Sequence, residues 1–533
     1  MRRTYSPTHG IPAVLLAAAA LVGGCDRGAA TRPPATPAAK PNILFVVWDT
    51  VRVDYLSLYG YERKTTPHLD RFADQSRVFE DCLSVASTTV PSHSSMFTGL
   101  HPTEHGASNS LPVLPDKFKT LAEHLKAAGY DTYMFAENPY IGRTKENASF
   151  GQGFDLVEHP WSPRYYEDAV RITKSKLHPE DRSNALPAKL LEDSASKGPK
   201  QEWNIKACGE LAQQGVENWL EQRDADRPYF IFLNYMEAHR PLLPSREYRA
   251  QMMTPEQIEA SYRVDRSWLS TWSYVVGLRE YTPKEIVLTR ATYAAALLEL
   301  DTLFHDLLES LRARGALENT CVVLTADHGE HLGEHHRLDH QYSVYEPVIR
   351  VPLVIHYPPR FAPGRDERPV MNFDLFPTLL ELAGIPSPGQ ARGVALQRPL
   401  AERARLAEYL RPLKGPLRLI RKRYPRFDQT PWLRSLRAYY DAPHKFIWVS
   451  DGRHELYNLM EDPGELRNLI KEQPQTAIRL AADSKSYLDD LKKAQTGAQA
   501  IVDKATLHRL EQLGYAPDTA DQDDESTPDN DAP

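Results

Sequence analysis

The sequence predicts an α/β fold in which a mostly parallel central sheet is sandwiched between helices, with a small antiparallel subdomain near the C-terminus. Short apolar runs typical of buried strands alternate with patterns typical of amphipathic helices, and this alternation favours parallel strands joined by helices. The strand-like runs are Ile43–Val47, Tyr130–Phe135, Tyr229–Asn234, Cys321–Thr325 and Val351–His356. The helical patterns between them are Thr66–Gln75, Thr120–Gly129, Cys208–Arg223 and Thr289–Arg314.

The predicted antiparallel subdomain depends on the last part of the chain. Lys445–Val449 and Glu455–Leu459 read as two strands of a hairpin with a turn at Asp451-Gly452. Before the hairpin, residues 411–437 are dense in Arg and Lys. This basic segment is interpreted either as a solvated face or as a patch that holds an anionic substrate or the phosphates of a bilayer. Residues 160–205 and 240–288 are predicted to be polar or irregular insertions.

The N-terminus carries a targeting segment that is not part of the fold. Residues 1–24 combine a basic start, Arg2-Arg3, with an apolar stretch too short for a comfortable membrane span. Val22-Gly23-Gly24-Cys25 resembles a bacterial lipobox, and the alternative is an ordinary secretory signal with a chance Cys. The lipobox predicts acylation of Cys25 and a lipoprotein anchored to a membrane of the bacterial cell envelope, facing the periplasm.

Composition divides the rest of the chain into further segments. Residues 25–40 predict an Ala/Pro-rich tether, 41–395 the main domain, 396–515 a C-terminal subdomain with the basic segment, hairpin and a helix, and 516–533 an acidic disordered tail. The net charge of −7 gives no case for nucleic acid as a partner. Cys82, Cys208 and Cys321 have no zinc-like spacing and are expected to be small buried residues.

Polar side chains follow several of the predicted strands. Asp49 comes after the first run, Asn138 after the second, and Asp327-His328 after the fourth. Because the carboxyl ends of parallel strands meet at one edge of a sheet, these side chains should converge there. Carboxylate and imidazole ligands together suit a divalent metal.

A hydroxyl nucleophile could face that metal. Thr88-Thr89-Val90-Pro91 places two hydroxyls just before a rigid Pro. A neighbouring metal would lower the pKa of a threonine hydroxyl and make it a usable nucleophile. Thr88 and Thr89 both remain candidates on this argument.

The motifs resemble those of the sulfatase family in the alkaline-phosphatase-like superfamily. The similar segments occur in the family's order over roughly residues 41–470. They are Asp49-Thr50-Val51-Arg52, Thr65-Thr66-Pro67-His68, Pro91-Ser92-His93, Thr98-Gly99-Leu100-His101-Pro102, Asp327-His328-Gly329-Glu330 and Leu456-Tyr457-Asn458-Leu459. The resemblance implies that Asp49, Thr89, Asp327 and His328 bind one divalent metal and that Thr89 is the nucleophile.

The chain departs from the arylsulfatase pattern at the nucleophile. The position two before the Pro is Cys or Ser in arylsulfatases and is oxidised to formylglycine, whereas a β-branched Thr89 cannot become that aldehyde. Thr50 stands where arylsulfatases have a second Asp, so zinc, manganese or magnesium is favoured over calcium. Relatives with Thr at this position resemble phosphodiesterases, phosphonate hydrolases and phosphoethanolamine or phosphoglycerol transferases, which favours phosphoryl chemistry.

The resemblance implies further site roles. His239, in a segment similar to a family His-Pro segment, would contact the oxyanion or protonate the leaving group. His340 is similar to a family His in the site, and Asn138 would bind substrate, the alternative being a loop cap. His93 stands where the family has Arg, and either serves the site or packs locally.

These observations predict a metal-dependent hydrolase of sulfate or phosphate esters. Its substrate would be an anionic ester on a glycan, a lipid head group or a small molecule. The alternatives are a phosphoethanolamine- or phosphoglycerol-type transferase and a non-catalytic lipoprotein that binds glycans or lipid head groups. The joint presence of Asp49, Thr89, Asp327 and His328 argues against the binder, because a binder needs no nucleophile beside metal ligands.

Overall fold

A computed structural model describes residues 40–142, 149–181 and 207–491. The predicted signal segment, the tether up to residue 39 and the acidic tail lie outside these residues. The main sheet has nine strands in the described part, namely β1 Asn42–Trp48, β2 Arg77–Leu83, β3 Asp131–Ala136, β4 Leu156–Glu158, β5 Tyr229–Tyr235, β6 Thr320–Thr325, β9 Arg350–His356, β10 Gly364–Asp366 and β11 Val370–Met371. Their order is β10-β2-β9-β6-β1-β5-β3-β4, with β11 also paired to β2.

The middle of the sheet is parallel and buried. Leu44 of β1 is in register with Ile231 of β5 on one side and with Val322 of β6 on the other. Strands buried on both faces are apolar along their whole length, which explains why the sequence shows them as continuous runs. β9 is the exception in direction, because it pairs antiparallel with both β6 and β2. The predicted α/β class with a mostly parallel sheet is confirmed.

Helices cover the sheet and build the surroundings of its carboxyl edge. They are α1 Pro67–Ala73, α2 Thr89–Thr98, α3 Pro102–His105, α4 Leu121–Ala127, α5 Tyr166–Lys176, α6 Glu210–Gln222, α7 Arg246–Met252, α8 Pro255–Tyr262, α9 Trp268–Val275, α10 Pro283–Ala313, α11 Glu346–Ile349, α12 Leu375–Leu382, α13 Lys414–Arg423 and α14 Pro474–Asp489. None of the described helices combines the length and the apolar character that a bilayer crossing demands.

The segment 240–288 differs from the prediction of irregular structure, since it contains α7, α8 and α9. Thr254 and Ser267 cap two of these helices by accepting backbone N–H groups, which stabilises short helices that apolar periodicity alone does not reveal. A side-chain cap of the same kind is found at the N-terminus of α10. Thr282 and Glu285 form a capping box there, and the helix begins at Pro283, six residues before the predicted Thr289.

A second, antiparallel sheet lies in the C-terminal part, as predicted. Its four strands follow the order β12-β13-β14-β15, namely Arg405–Tyr409, Leu436–Asp441, His444–Val449 and Glu455–Asn458. The predicted hairpin corresponds to β14 and β15. Two further short strands, β7 His331–Leu332 and β8 Leu338–Asp339, form a separate ribbon near the edge where the candidate site lies. Cys82, Cys208 and Cys321 are buried free thiols, as expected.

Candidate active site

Asp49 lies at the carboxyl edge of the sheet between two asparagines. Its backbone N–H donates to the carbonyl of Tyr235, which continues the ladder between β1 and β5. Its Oδ2 accepts hydrogen bonds from Asn138 Nδ2 at 2.8 Å and from Asn234 Nδ2 at 3.3 Å. Its Oδ1 is buried and has no hydrogen-bond partner among the described residues. The asparagines therefore orient the carboxylate and leave one oxygen for a ligand.

Asp327, which follows β6, is held in a similar way. Its Oδ1 accepts the backbone N–H of His328 at 2.9 Å and of Thr50 at 3.2 Å. Thr50 has a φ of 60°, a left-handed conformation that costs energy for a β-branched residue. The Oδ2 of Asp327 is buried and, within the described part of the chain, has no hydrogen-bond partner. Asp327 thus also presents one oxygen to the site.

The two carboxylates are fully buried and share one site. Burial, followed by the charge of Asp327, raises the pKa of Asp49 to about 6. Burial is also the main cause that raises the pKa of Asp327 to about 7. Because the two carboxyl groups are buried side by side, both stay ionised at neutral pH only if a positive charge lies beside them. A bound cation would supply it.

His328 completes a donor set that fits a divalent metal. Its Nδ1 lies 2.9 Å from the carbonyl oxygen of Gly329, which makes Nδ1 the donor and leaves the lone pair on Nε2. Burial lowers the pKa of His328 to about 4, so the ring is neutral and able to ligate. One ligand atom each from Asp49, Asp327 and His328 can be chosen so that all lie within 4.8 Å of one another. Carboxylate, carboxylate and imidazole form a set that suits zinc, manganese or magnesium.

Thr89 places its hydroxyl beside this donor set. It is the first residue of α2, and the preceding Thr88 is the extended N-cap. Thr89 Oγ1 lies 3.3 Å from His328 Nε2 and is fully buried. The N-terminus of a helix stabilises negative charge, so this position favours an oxyanion at Thr89. Of the two candidate hydroxyls, the structure brings that of Thr89 to the ligand cluster.

A hydrogen-bonded clamp that the sequence argument missed ties α2 to the metal-ligand segment. Ser84 and Ser92 both donate their hydroxyls to the backbone carbonyl of Asp327, Ser92 at 2.7 Å. Asn372 Nδ2 donates to Ser92 Oγ at 2.9 Å and to Ser84 Oγ at 3.2 Å. Ser92 lies in the nucleophile segment that the sequence singled out, but Ser84 and Asn372 stand in no motif and only the fold reveals them.

Two of the predicted histidines, His340 and His239, lie next to His328 in that order. The ring of His340 is stacked at a tilt on that of His328, with centroids 4.3 Å apart, and the ring of His239 lies 5.7 Å from that of His340. His239 Nδ1 lies 2.6 Å from the carbonyl oxygen of Arg240. Burial lowers the pKa of His340. All eight residues of the predicted site therefore lie in one buried cluster.

His93 faces the nucleophile and not open space. Its Nδ1 lies 2.9 Å from the carbonyl oxygen of Thr89 and 3.7 Å from Asp327 Oδ2. Its ring packs edge-on against Phe150 and Phe232. Burial lowers the pKa of His93 to about 3, so it cannot supply the positive charge of the arginine that the family has there. The observed contacts suit a residue that positions Thr89.

A second acidic group lies next to the first. Glu330, Asp339 and His340 could also offer ligand atoms within 4.8 Å of one another. However, the guanidinium of Arg240 forms an ion pair with Asp339 and lies 3.8 Å from the centroid of the Trp268 ring. Arg240 already offsets the charge of one of the two carboxylates, so this group is a poorer metal site than the pair Asp49 and Asp327.

Comparisons with known families agree with this geometry. A family model described as Sulfatase matches residues 41–385. A second model, described as N-sulphoglucosamine sulphohydrolase, C-terminal, matches residues 333–494. Together these matches cover both sheets.

The similar proteins include enzymes that are named for different esters, namely sulfates and phosphonates. An N-acetylglucosamine-6-O-sulfatase of Bacteroides thetaiotaomicron is 23% identical, over 85% of this chain and 87% of its own length. An arylsulfatase of Clostridium perfringens is also 23% identical, over 81% of this chain and 91% of its own. The crystal structure of a phosphonate monoester hydrolase of Agrobacterium radiobacter superposes with a TM-score of 0.64 at 22% identity, over 84% of this chain and 95% of that one.

Proposed function

The chain belongs to the sulfatase family and is an ester hydrolase, and from this premise we propose that it is a metal-dependent hydrolase of sulfate or phosphate esters with Thr89 as the nucleophile. The observation that carries the proposal is the position of Thr89 Oγ1, 3.3 Å from His328 Nε2 at the start of α2. The buried and unbonded oxygens of Asp49 and Asp327 beside it support a divalent cation in the same place.

Each residue of the site has a part in the proposed reaction. A divalent cation bound by Asp49, Thr89, Asp327 and His328 would lower the pKa of the Thr89 hydroxyl and offset the charge of the ester oxygens. Thr89 Oγ1 passes its proton to a water molecule in the site and forms the new bond to phosphorus or sulfur, while the bond to the organic oxygen breaks. Water then cleaves the Thr89 ester and restores the hydroxyl. Asn138 keeps Asp49 oriented through the 2.8 Å hydrogen bond.

The organic oxygen needs a proton as it leaves. We assign this proton to His239, because its ring lies 5.7 Å from that of His340, which stacks on His328. Because burial lowers the pKa of His340, its protonated form is disfavoured, and it acts instead as a neutral hydrogen-bond donor to the ester.

Phosphoryl transfer is favoured slightly over sulfuryl transfer, because Thr89 cannot become an aldehyde and a threonine phosphate can be released by attack of water. The phosphonate monoester hydrolase among the similar structures is consistent with this preference. The relatives also include sulfatases that are named for amino sugars, so sulfate esters of glycans are the second substrate class of the proposal. A transferase would share every step except the last, in which an alcohol replaces water.

A matrix of substrates and metals tests the proposal. Purified metal-free protein is assayed with nitrophenyl phosphate, a nitrophenyl phosphodiester, a phosphonate and nitrophenyl sulfate, each with zinc, manganese, magnesium or calcium. We expect turnover that requires added metal and is fastest with a phosphorus ester. Faster turnover of the sulfate would reverse the preferred chemistry, and acceleration by added glycerol or ethanolamine would indicate a transferase. Binding of sulfated glycans without turnover of any ester would indicate a non-catalytic binder.

We also propose that Cys25 is acylated and anchors the protein to a membrane facing the periplasm. This residue lies outside the described part of the chain, and the proposal depends on the lipobox-like segment 22–25. Labelling with a fatty-acid probe should occur in the wild type and be lost in Cys25→Ser. Equal labelling of both would refute it.

A further inference from the structure

A cavity of about 250 Å³ opens beside the nucleophile helix, and no role has been assigned to it so far. Thr88 and Pro91, which flank Thr89, form one wall. The loop that follows α3 and the end of β12 form the others, so the main domain and the C-terminal sheet both contribute. We refer to this space, lined among others by Thr88, Asn109, Gln341, Glu408 and Arg411, as the amide cavity.

Two residues with buried amide groups line the amide cavity. The Oδ1 of Asn109 accepts the backbone N–H of Val90 at 3.0 Å, which fixes the side chain to the first turn of α2. The Oε1 of Gln341 accepts from the Tyr409 hydroxyl at 3.4 Å. Asn109 and Gln341 are 3% and 2% exposed, and their NH2 groups have no hydrogen-bond partner in the described part of the protein. Since an unpaired buried donor costs free energy, these groups favour a ligand that carries oxygen acceptors.

The charges around the amide cavity leave a positive excess. Arg437 Nε lies 3.0 Å from Glu408 Oε1, and its guanidinium lies 4.9 Å from the ring centroid of Trp448. Glu408 also accepts hydrogen bonds from the backbone N–H and the hydroxyl of Thr103, so its carboxylate is fully engaged. Arg411 is exposed and forms no ion pair with a described carboxylate. The basic segment therefore brings one uncompensated cation to this cavity.

We propose that the amide cavity binds the organic part of the ester and selects an oxygen-rich group that carries a negative charge. The amides of Asn109 and Gln341 donate to its oxygens, and Arg411 pairs with its charge. The inference rests on the proposed function, because Thr89 must act on the ester for its neighbouring cavity to hold the organic group. It also separates the basic segment into two parts, since Arg421 in the last turn of α13 is exposed and does not line the cavity.

Two matched esters test the inference on full-length, metal-loaded protein. One releases 7-hydroxycoumarin and the other 7-hydroxycoumarin-3-carboxylate, each prepared as phosphate and sulfate. Arg411→Gln should lower kcat/KM for the carboxylate ester about two- to fivefold more than for the uncharged ester, the range expected for an exposed ion pair. Gln341→Leu should raise KM for both esters. Arg421→Gln removes the same charge from the same segment and should leave the ratio between the two esters at the wild-type value.

Binding of the released coumarins separates the two possible failures. If esters are hydrolysed but neither Arg411→Gln nor Gln341→Leu affects KM or the ratio, the inference is wrong and the proposed function stands. If no ester is hydrolysed but 7-hydroxycoumarin-3-carboxylate binds and Arg411→Gln weakens its binding, the proposed function is wrong and the cavity is a binding site for anions. Absence of both hydrolysis and binding overturns both.

Discussion

Asp49 and Asp327 each use one carboxylate oxygen for hydrogen bonds and keep the other buried oxygen free of hydrogen bonds within the described residues. Because each carboxylate accepts hydrogen bonds on one of its oxygens, the two acids can be buried next to each other. The hydrogen-bonded oxygens fix the orientation of the two carboxylates. The other two oxygens are buried without a hydrogen bond, so a neighbouring positive charge would stabilise them. These two residues therefore make this edge of the sheet a candidate site for a cation.

Loss of either carboxylate should remove the metal. We predict that Asp49→Asn and Asp327→Asn, which keep the size of the side chain and remove its charge, carry much less than one divalent ion per chain by elemental analysis. Glu330→Gln serves as the control, because it removes a carboxylate of the neighbouring acidic group, in which Arg240 already pairs with Asp339. Unchanged metal content in both Asp variants, or a loss in Glu330→Gln alone, would place the metal elsewhere.

At the scale of single residues, the sequence predicted the donors but not their states. Strand-end positions pointed to Asp49, Asp327 and His328, and Thr89 was implied by the resemblance to the sulfatase family. They could not reveal that His93 is neutral, because its low pKa depends on burial, and the rings of Phe150 and Phe232 reach it only in the folded chain. They also left Thr88 and Thr89 equivalent until the start of α2 separated them.

At the scale of elements, the site depends on the relative position of α2 and the end of β6. Ser92 of α2 donates to the carbonyl of Asp327 and accepts from Asn372, which also contacts Ser84 after β2. Three segments distant in sequence thus meet at one carbonyl group. This clamp keeps the hydroxyl of Thr89 at a fixed distance from the ligands.

Weakening the clamp should weaken metal binding without unfolding the protein. We predict that Ser92→Ala lowers metal affinity about tenfold or more, the usual effect of removing a group that orients a ligand. A competition assay with a chromogenic chelator measures this affinity. Ser76→Ala is the matched control, because Ser76 is equally buried but donates to Phe72 at the end of α1. Equal affinities of the two variants would show that the clamp does not act on the site.

The elements themselves were predictable to different degrees. β1, β5 and β6 are apolar throughout because both of their faces are covered, and the sequence marked them almost to the residue. β2 was missed, since its run contains Arg77, Glu80 and Asp81 and lies toward the edge of the sheet. Short capped helices such as α8 carry little apolar periodicity and were read as irregular.

At the scale of the whole molecule, a buried charge cluster joins the two sheets. Lys445 of β14 is fully buried and lies 2.9 Å from Glu346 Oε1 and 2.6 Å from Glu465 Oε1. The hydroxyl of Tyr440 also donates to Glu346. Glu346 begins α11 in the main domain, so this cluster connects the C-terminal sheet to the segment that follows the metal ligands.

Removing the central cation should destabilise the protein strongly. We predict that Lys445→Met lowers the free energy of unfolding by about 3–5 kcal/mol, because two buried carboxylates lose their counter-charge. Chemical denaturation followed by tryptophan fluorescence and circular dichroism measures the change. Lys471→Met, at an exposed lysine, should cost far less. A cost below about 1 kcal/mol for Lys445→Met, the range of surface pairs, would mean that the cluster is solvated in solution.

The central claim is that the reaction passes through an ester of Thr89, and the direct measurement is to trap that ester. Wild-type protein is mixed with its best substrate, quenched in acid within the first turnovers, and mapped by peptide mass spectrometry with fragmentation that separates Thr88 from Thr89. We predict a phosphate, or for sulfate substrates a sulfate, on Thr89. We also expect partial turnover by Thr89→Ser and a loss of several orders of magnitude in Thr89→Ala. A group trapped on Thr88, or near wild-type turnover by Thr89→Ala, would contradict the account.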